Sequence, residues 1–533
     1  MKLTWEVYTS KQSLQNETEL QEGVNHIVID TDGEKLRYAG ATTQVSWKKN
    51  MSVFMNGFQS WSTCPEYGRY DRVRGIDTIP APLLNRWHFD RYADYHFVNY
   101  PNQRGITHGF SWCCFHAGEH YQLIASLDEK PGYTMFEYNA ESGELKIERD
   151  CYGFVSTGPY HVFDLFMAEG SQEDVFDRWF AAMDIHPRTE KKLYGYSSWY
   201  NRYQNISEET ICSDLNGCGR ILQRGDLFQI DDGWEPFVGD WLETDSVKFP
   251  DGLKGMVEEI HNRGYKAGLW VSPFAAEANS QLVKDHPDWL IRVNGEPWAQ
   301  GGNWSGFYGL NIDHPGVVKY VRRVFDRIFN EWGFDLVKLD FLYAAAPFGT
   351  RKETRAARMY RAVDLLRECA GDKEILGCGV PLMPAFGKFE YCRIGCDVTL
   401  DWNDRLYMHG FHRERPSSRN SLANTVSRRQ LNGRAWLNDP DVFFVRDENL
   451  DLSDSQKDAM IRLDALLGGV FLTSDDPGSY SPQMIETYKE MRHLSEAQDM
   501  HVSTMDDIIV VDYTLDGFRE REIFNIRLKP DRT

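Results

Sequence analysis

The first 185 residues contain short runs in which apolar and polar positions alternate, for example His26-Ile-Val-Ile-Asp30 and Tyr121-Gln-Leu-Ile-Ala125. Alternation with a period of two is typical of strands that bury one face, and turn-forming pairs such as Asp32-Gly33 separate the runs. Helical periodicity is almost absent in this part of the chain. The pattern predicts an antiparallel β-sandwich over residues 1–185, with structural support as its expected role.

From Lys191 onward the pattern changes, because apolar runs alternate with helical segments such as 255–261 and 317–332. This alternation is typical of β/α units around a parallel sheet, and it predicts a (β/α)8 TIM barrel over residues 186–490. The candidate strands are 193–199, 226–231, 265–271, 307–313, 335–340, 374–380, 391–397, 433–438 and 468–474. A (β/α)8 barrel has one strand fewer than this list of candidates. We therefore treat 307–313 as an excursion outside the barrel, because it follows a Gly- and Trp-rich loop.

After about residue 490 strand-like runs return, as in Asp507-Ile-Ile-Val-Val-Asp-Tyr513, and a short C-terminal β segment is expected over residues 491–533. With 533 residues the chain is too long for one ordinary domain. A multidomain protein is therefore predicted, with an N-terminal sandwich, a central barrel and the C-terminal segment.

Charge and cysteine content narrow the class of partner. Lys and Arg number 59 against 80 Asp and Glu, a net charge of −21, which argues against nucleic acid and anionic membrane surfaces. The 10 Cys form no CxxC pair, the segment after Met1 has no signal-like apolar region, and no apolar stretch is long enough to span a bilayer. A cytoplasmic enzyme with reduced thiols is expected, and its oligomeric state stays undetermined.

Aromatic and acidic residues together suggest a carbohydrate site. Aromatic residues make up 14% of the chain, including 16 Trp, and many lie beside acidic motifs. Rings next to carboxylates suit a pyranose, which combines a C–H face with a rim of hydroxyls, although ordinary core filling explains most of them. Asp231, Asp232, Asp340 and Asp397 lie at the ends of candidate strands, which a β/α barrel gathers on one face.

Lys338 and Asp340 are two residues apart in one candidate strand and should therefore face the same side. A neighbouring cation favours the ionised form of a carboxyl group, and an ionised, positioned carboxylate is a nucleophile. An ion pair in the barrel core is the alternative interpretation.

Arg393 and Asp397 supply a second acid with a cation on the same strand face, and Gly395 between them leaves room for a ligand. If the carboxyl groups of Asp340 and Asp397 lie about 5 to 6 Å apart, they fit a retaining glycosidase. Asp401 is a competing candidate that ranks lower, because it lies beyond the expected strand end.

The adjacent Asp231 and Asp232 suit neighbouring sugar hydroxyls, which donate charge-assisted hydrogen bonds to carboxylates. A helix N-cap is one alternative and a divalent metal site is another. The metal is the weaker idea because no His lies near these strand ends. Neither a metal nor a cofactor is expected.

Several stretches together resemble a known family. They are Asn56-Gly-Phe-Gln-Ser-Trp61, Gln229-Ile-Asp-Asp-Gly-Trp-Glu235, Gly268-Leu-Trp-Val-Ser-Pro273, Val337-Lys-Leu-Asp340 and Arg393-Ile-Gly-Cys-Asp397. In this order, between about residues 54 and 475, they resemble the α-galactosidases of glycoside hydrolase family 36, within the melibiase clan. The resemblance implies an N-terminal β-supersandwich, a catalytic barrel, and a retaining, exo-acting hydrolase that removes terminal α-linked galactose from oligosaccharides or glycoconjugates.

By the same resemblance, Asp340 would be the nucleophile and Asp397 the general acid/base. The resemblance implies that Asp231 and Asp232 bind the 4- and 6-hydroxyls, that Lys338 binds the ring hydroxyls, and that Arg393 lies beside the acid/base or the 2-position. It also implies that Trp199 and Trp270 form walls of the pocket and that Cys378 and Gly379 face the 2-substituent. Trp61 would either close the pocket or pack in the domain interface.

Two features depart from the family pattern. Many members carry a basic residue near the position of Asn303-Trp304, and the C-terminal segment is short for the family's usual β-sandwich, which indicates a truncated chain or a divergent lineage. Alternatives within the fold are an α-N-acetylgalactosaminidase or α-galactosaminidase, and a transglycosylase. A catalytically silent carbohydrate-binding homologue is the alternative outside enzymes.

Overall fold

The N-terminal part of the chain is built from two six-stranded antiparallel sheets, as the alternating pattern predicts. The computed structural model describes residues 1–91, 93–410, 415–505 and 507–528. The N-terminal strands are Lys2–Thr9 (β1), Ser13–Glu19 (β2), Gly23–Ile29 (β3), Leu36–Gln44 (β4), Met51–Met55 (β5), Glu66–Tyr67 (β6), Ile106–Phe110 (β7), Trp112–Ala117 (β8), His120–Ser126 (β9), Thr134–Asn139 (β10), Glu144–Arg149 (β11) and Tyr160–Gly170 (β12). Their orders are β2-β1-β4-β11-β10-β7 and β3-β12-β9-β8-β5-β6.

The remaining strands belong to the central and C-terminal parts. They are Leu193–Ser197 (β13), Leu227–Ile230 (β14), Lys266–Val271 (β15), Ala275–Glu277 (β16), Arg292–Val293 (β17), Glu296–Pro297 (β18), Ala299–Gly301 (β19), Phe307–Gly309 (β20), Leu336–Leu339 (β21), Glu374–Gly377 (β22), Tyr391–Arg393 (β23), Leu437–Asp439 (β24), Val442–Phe443 (β25), Val470–Thr473 (β26), Gln498–Met505 (β27), Ile508–Leu515 (β28) and Phe518–Asn525 (β29).

A nine-stranded parallel sheet forms the centre, in the order β24-β23-β22-β21-β15-β14-β13-β26-β25. Its strands are short and buried on both faces, which explains why they are continuous apolar runs in the sequence. The sheet curls so far that its edge strands β24 and β25 follow each other in the chain, separated only by Pro440 and Asp441. We call the place where these two edge strands meet, at Pro440 and Asp441, the seam of the sheet. Beside the seam, the N–H of Gly469, just before β26, donates to the backbone oxygen of Asn438 at 2.8 Å.

Every candidate strand except 307–313 overlaps a strand of this central sheet. The interpretation of 307–313 as an excursion is confirmed, because β20 pairs antiparallel with β16 and β19 in a separate sheet. Strands β27, β28 and β29 form a three-stranded antiparallel sheet near the C-terminus. The domain boundaries at residues 185 and 490 stay predictions.

Helices connect the central strands and cover the sheet. The α-helices are Ala81–Trp87 (α1), Gln172–Met183 (α2), Trp199–Arg202 (α3), Glu208–Cys218 (α4), Lys254–Asn262 (α5), Gln281–Asp285 (α6), Pro315–Asp326 (α7), Arg355–Ala370 (α8), Leu382–Ala385 (α9), Ser418–Ser427 (α10), Asp454–Leu467 (α11) and Pro482–Leu494 (α12). Among the described residues, none of these helices combines the length and the apolar character that crossing a bilayer requires.

The segment 56–64 joins the N-terminal sheets to the central part. Arg428, directly after α10, is 1% exposed, and its guanidinium donates five hydrogen bonds of 2.9 to 3.3 Å. They reach the side chain of Asn56, three backbone oxygens of the segment, and the oxygen of Ile394 near the central sheet. Asn424 of α10 donates to a further backbone oxygen of the segment at 2.7 Å. One helix end therefore holds the segment against the central sheet.

We expect Arg428→Leu to lower the free energy of unfolding by about 3 kcal/mol or more, because each buried oxygen left without a donor costs about 1 to 3 kcal/mol. Urea unfolding followed by tryptophan fluorescence measures the loss. Arg434→Leu is the matched control, since Arg434 pairs with an exposed carboxylate, that of Asp177, and should cost less than about 1 kcal/mol. Equal losses in the two variants would contradict this role of Arg428.

Candidate active site

A cavity of about 320 Å³ opens where the central strands end. Its lining includes eight of the eleven site residues expected from the sequence: Trp61, Trp199, Asp231, Asp232, Trp270, Lys338, Asp340 and Asp397. It also includes Gln204, Asn303, Trp304, Phe341, Cys396 and Pro416. Four strands or strand ends and the segment 56–64 thus meet at one cavity.

A buried ion pair belongs to the lining of the cavity. Lys338 Nζ donates to Asp231 Oδ2 at 2.9 Å, and the two residues are 7% and 2% exposed. Burial by itself lowers the pKa of Lys338, but the negative charge of Asp231 together with that of its other neighbours, Asp340 among them, makes the net shift upward. Lys338 and Asp340 line the same cavity, as the strand pattern predicts, but the hydrogen-bonded partner of Lys338 is Asp231, which comes from a strand end 107 residues earlier.

Asp232 is held by side chains from two loops. Its Oδ2 accepts a hydrogen bond from Gln204 Nε2 at 2.9 Å and another from Trp304 Nε1 at 3.1 Å. The loop with Gln204 approaches closely because Gly233 has φ of +115°, and a Cβ there would lie 2.9 Å from the Gln204 Cα. Neither Asp231 nor Asp232 caps a helix, so that alternative is wrong.

Asp340 directly follows β21 and faces the cavity. Its Oδ2 accepts from Trp270 Nε1 at 3.1 Å, and its Oδ1 accepts from the backbone N–H of Phe341 at 2.9 Å. Phe341 has φ of 53°, a left-handed conformation that bulky residues rarely adopt, so the chain turns sharply after the carboxylate. Burial raises the pKa of Asp340, the charge of Lys338 lowers it, and the charge of Asp397 raises it, with a net upward shift.

Asp397 lies four residues beyond β23, which ends at Arg393. The expectation that Arg393 and Asp397 share one strand face is therefore wrong, because the strand is shorter than predicted and Asp397 lies beyond its end. The two side chains still meet: Arg393 Nη1 donates to Asp397 Oδ1 at 2.9 Å. The Asp397 side chain is 46% exposed, so it has access to water while one oxygen is held by the guanidinium.

Arg393 is in turn fixed by the seam of the central sheet. It does not line the cavity; its Nη1 and Nη2 donate to both carboxylate oxygens of Asp441 at 2.9 and 2.8 Å. Tyr200 donates its hydroxyl to the same carboxylate at 2.6 Å, and Asp439 lies 3.3 Å from Arg393 Nε. Two carboxylates of the seam therefore orient the arginine that contacts Asp397.

Trp61 covers the segment expected at the 2-position of a sugar. Its Nε1 donates to Cys378 Sγ at 3.0 Å, and its ring packs edge-on against Phe341 with 4.8 Å between centroids. Gly379 has φ of +53°, and a Cβ there would lie 2.7 Å from the Phe341 nitrogen. Cys378 and Gly379 do not line the cavity, so Trp61 both bounds the cavity and packs in the interface.

Comparison with known proteins gives the family of this site. Residues 197–363 match the sequence model of the family Melibiase. Over this segment the chain is similar to melibiases. The resemblance to the α-galactosidases of glycoside hydrolase family 36 is confirmed, because the chain matches relatives that are named α-galactosidase.

Three relatives illustrate how far the likeness extends. An α-galactosidase of Escherichia coli is 32% identical over 206 residues, 36% of this chain and 28% of that protein. α-Galactosidase AgaA of Geobacillus stearothermophilus is 32% identical over 152 residues, 27% of this chain and 20% of AgaA. The solved structure of TtGalA, an α-galactosidase from Thermus thermophilus in complex with stachyose, has a TM-score of 0.71 at 25% identity and covers 92% of this chain and 99% of that chain. The matched regions of the first two relatives are thus less than a third of their length.

Two residues that hold Asp232 were not among the site residues expected from the sequence. Trp304 lies in the Gly- and Trp-rich stretch that the sequence pattern predicts as a loop, and the Trp content of that stretch is the signal that points to it. No sequence signal singled out Gln204, because its contact depends on how the loop after α3 packs on Gly233.

We expect Lys338→Met to lower the free energy of unfolding of the protein by about 3 to 5 kcal/mol, because it leaves the Asp231 carboxylate buried without its cation. The double variant Lys338→Met/Asp231→Asn should recover much of the loss, since it removes both charges. Urea unfolding at neutral pH measures all three proteins.

Lys266→Met is the matched control, because the Lys266–Glu374 pair is partly exposed, at 36% and 23%, and should contribute at most about 1 kcal/mol. The interpretation fails if the double variant is no more stable than the single one.

Proposed function

We propose that this protein is a retaining, exo-acting glycoside hydrolase that removes terminal α-linked galactose from oligosaccharides or glycoconjugates. One observation carries the proposal: Asp340 and Asp397 line the same cavity, together with the Asp231–Lys338 pair and Asp232. The names of the relatives and the stachyose complex of TtGalA support galactosides as the substrate class.

For the fold we propose three parts: an N-terminal β-supersandwich, a central barrel and a short C-terminal β segment. We take β24 and β25 as one strand interrupted at Pro440 and Asp441, so that the central sheet is an eight-stranded (β/α)8 barrel. The two N-terminal sheets form the β-supersandwich, and β27 to β29 form the short C-terminal segment. The cysteines are thiols, which supports the reducing cytoplasm as the location.

Asp340 is the nucleophile of the first step. Its carboxylate attacks the anomeric carbon, the glycosidic C–O bond breaks, and Asp397 donates its proton to the leaving oxygen. Trp270 and the N–H of Phe341 hold the two Asp340 oxygens, which limits rotation of the carboxylate before attack. The product of this step is a β-galactosyl ester on Asp340.

Asp397 acts as the base of the second step. It takes a proton from water, the water oxygen attacks the anomeric carbon, and the ester bond to Asp340 breaks to release α-galactose. The partly exposed position of Asp397 suits this exchange of protons with water, while Arg393 keeps one of its oxygens in place. Two inversions leave the anomeric configuration retained.

The remaining cavity residues bind and orient the sugar. Asp231 and Asp232 accept from the 4- and 6-hydroxyls, and Lys338 donates to a ring hydroxyl near the nucleophile. Trp199 and Trp270 supply flat apolar surface for the C–H face of the ring. A hydroxyl in the wrong orientation leaves a buried acceptor without its donor, which is the basis of selectivity for galactose.

The 2-position separates galactosides from 2-acetamido galactosides. Trp61 lies over Cys378 and Gly379, the segment implied to face the 2-substituent, and this bulk favours a hydroxyl over an acetamido group. We therefore favour the α-galactosidase over the α-N-acetylgalactosaminidase.

Asp340→Asn and Asp397→Asn are each expected to lower kcat on an alkyl α-galactoside by about 10³-fold or more, since each removes a group that acts in the transition state. On p-nitrophenyl α-galactoside, Asp397→Asn should lose less in its first step, because this leaving group needs little protonation. Galactose release and burst kinetics measure the effects.

Asp401→Asn is the matched control, because Asp401 is an acid close in sequence that does not line the cavity. Its kcat should stay within about twofold of the parent. Near-normal galactose release by Asp340→Asn would remove that residue from its role, and galactose binding without any release by the parent protein would support the silent binding homologue.

We expect Trp61→Ala to change the ratio of kcat/KM for the galactoside over its 2-acetamido analogue by about tenfold or more in favour of the analogue, because the substitution opens space beside Cys378. Trp298→Ala, which removes an indole outside the cavity lining, should leave the ratio unchanged. An unchanged ratio in Trp61→Ala would place the control of the 2-position elsewhere.

A further inference from the structure

Two histidines and a carboxylate converge on the N-terminal sandwich, apart from the cavity lining. His26 Nδ1 lies 2.5 Å from Asp164 Oδ1, and His161 Nδ1 lies 2.9 Å from the same oxygen. The three donor atoms lie within 4.8 Å of one another. In the part of the chain that the structure describes, this is the one group of three or more His, Cys, Asp or Glu side chains with this spacing.

A β-bulge brings the three side chains to one face. His26 on edge strand β3 pairs with Asp164 on β12, and Val28 pairs with His161, so the two partners on β3 are two residues apart. On β12 the corresponding residues are three apart, because the register shifts between His161 and Phe163. In a regular strand residues three apart point to opposite faces; the extra residue restores a common face.

The bulge is supported from inside the sheet. Val162, the extra residue, is 0% exposed, and its backbone oxygen accepts a hydrogen bond from Arg149 Nε at 2.8 Å. The buried guanidinium thus satisfies the carbonyl that the bulge leaves outside the strand pairing. The arrangement of His161 and Asp164 is therefore part of the sheet's construction.

Burial differs between the carboxylate and the imidazoles. Asp164 has a side chain only 7% exposed, whereas His26 and His161 are 55% and 46% exposed. No Lys or Arg among the described residues forms an ion pair with Asp164, whose side-chain neighbours there are these two imidazoles. A buried carboxylate flanked by two half-exposed imidazoles is a donor set that suits a metal ion.

We propose that His26, Asp164 and His161 form a binding site for a divalent transition-metal ion of the zinc class. Two imidazole nitrogens and one carboxylate oxygen are donors that Zn²⁺ prefers, and the exposed side leaves a position for water. A tetrahedral ion with bonds of about 2.0 to 2.1 Å needs donors about 3.3 Å apart, so small side-chain rotations suffice to admit it. The bound ion links edge strand β3 to β12.

The test compares zinc binding by the full chain and by His26→Asn/His161→Asn. Each protein is stripped with a chelator and titrated with zinc sulfate against a chromogenic zinc indicator at neutral pH. The parent should bind one zinc ion that the double variant does not bind, and His161→Asn alone should weaken this site by about tenfold or more. Zinc should also raise the Tm of the parent more than that of the double variant.

His261→Asn is the matched control, because His261 also contacts a carboxylate, Asp335, at 2.8 Å but belongs to no group of three ligating side chains among the described residues. This variant should bind zinc as the parent does. Circular dichroism of the metal-free proteins verifies that each variant is folded. The proposal is overturned if the parent binds no zinc, or if the double variant binds it equally well, since the cluster is then a hydrogen-bonded one only.

Discussion

The guanidinium of Arg428 lies out of water and donates to both parts of the protein, so one side chain ties the segment 56–64 to the central sheet. A buried guanidinium is tolerated only where its donors find partners, and here five oxygens are arranged around it. The segment 56–64, which supplies four of these oxygens, also carries Trp61. The wall of the cavity therefore depends on a contact outside the cavity.

The charges around the cavity suit the proposed chemistry. The lining residues of the cavity include four acids, Asp231, Asp232, Asp340 and Asp397, and one basic residue, Lys338. The transition state of glycoside cleavage resembles an oxocarbenium ion and carries positive charge, which nearby carboxylates stabilise. The Lys338–Asp231 pair also explains how several acids are held together, because a cation offsets part of their mutual repulsion.

The pattern of apolar residues predicted those site residues whose position depends on the strand just before them. Asp231 and Asp340 follow short apolar runs, and in the structure each lies directly beyond its strand, because a buried strand end positions the next residue. Contacts between distant segments could not be predicted from local pattern. Lys338 donates a hydrogen bond to an acid 107 residues away, and Trp61 donates one to a thiol 317 residues away.

The error at Asp397 has the same cause as these missed contacts. Strand β23 ends at Arg393, where side-chain bonds to Asp439 and Asp441 take over from strand pairing. Apolar pattern does not report such bonds, because they depend on where the seam of the sheet closes. Gln204 was missed for a related reason, since a loop contact has no periodicity.

The seam at Pro440 and Asp441 couples assembly to chemistry. Asp441 lies between the two edge strands of the sheet and clamps the arginine that contacts Asp397. A chain in which β24 and β25 have not yet docked lacks this clamp, and Asp397, the proposed proton donor, is then not held through Arg393. Under the proposed mechanism, newly synthesised molecules would stay inactive until these edge strands dock, so galactoside turnover would appear during refolding only after that step.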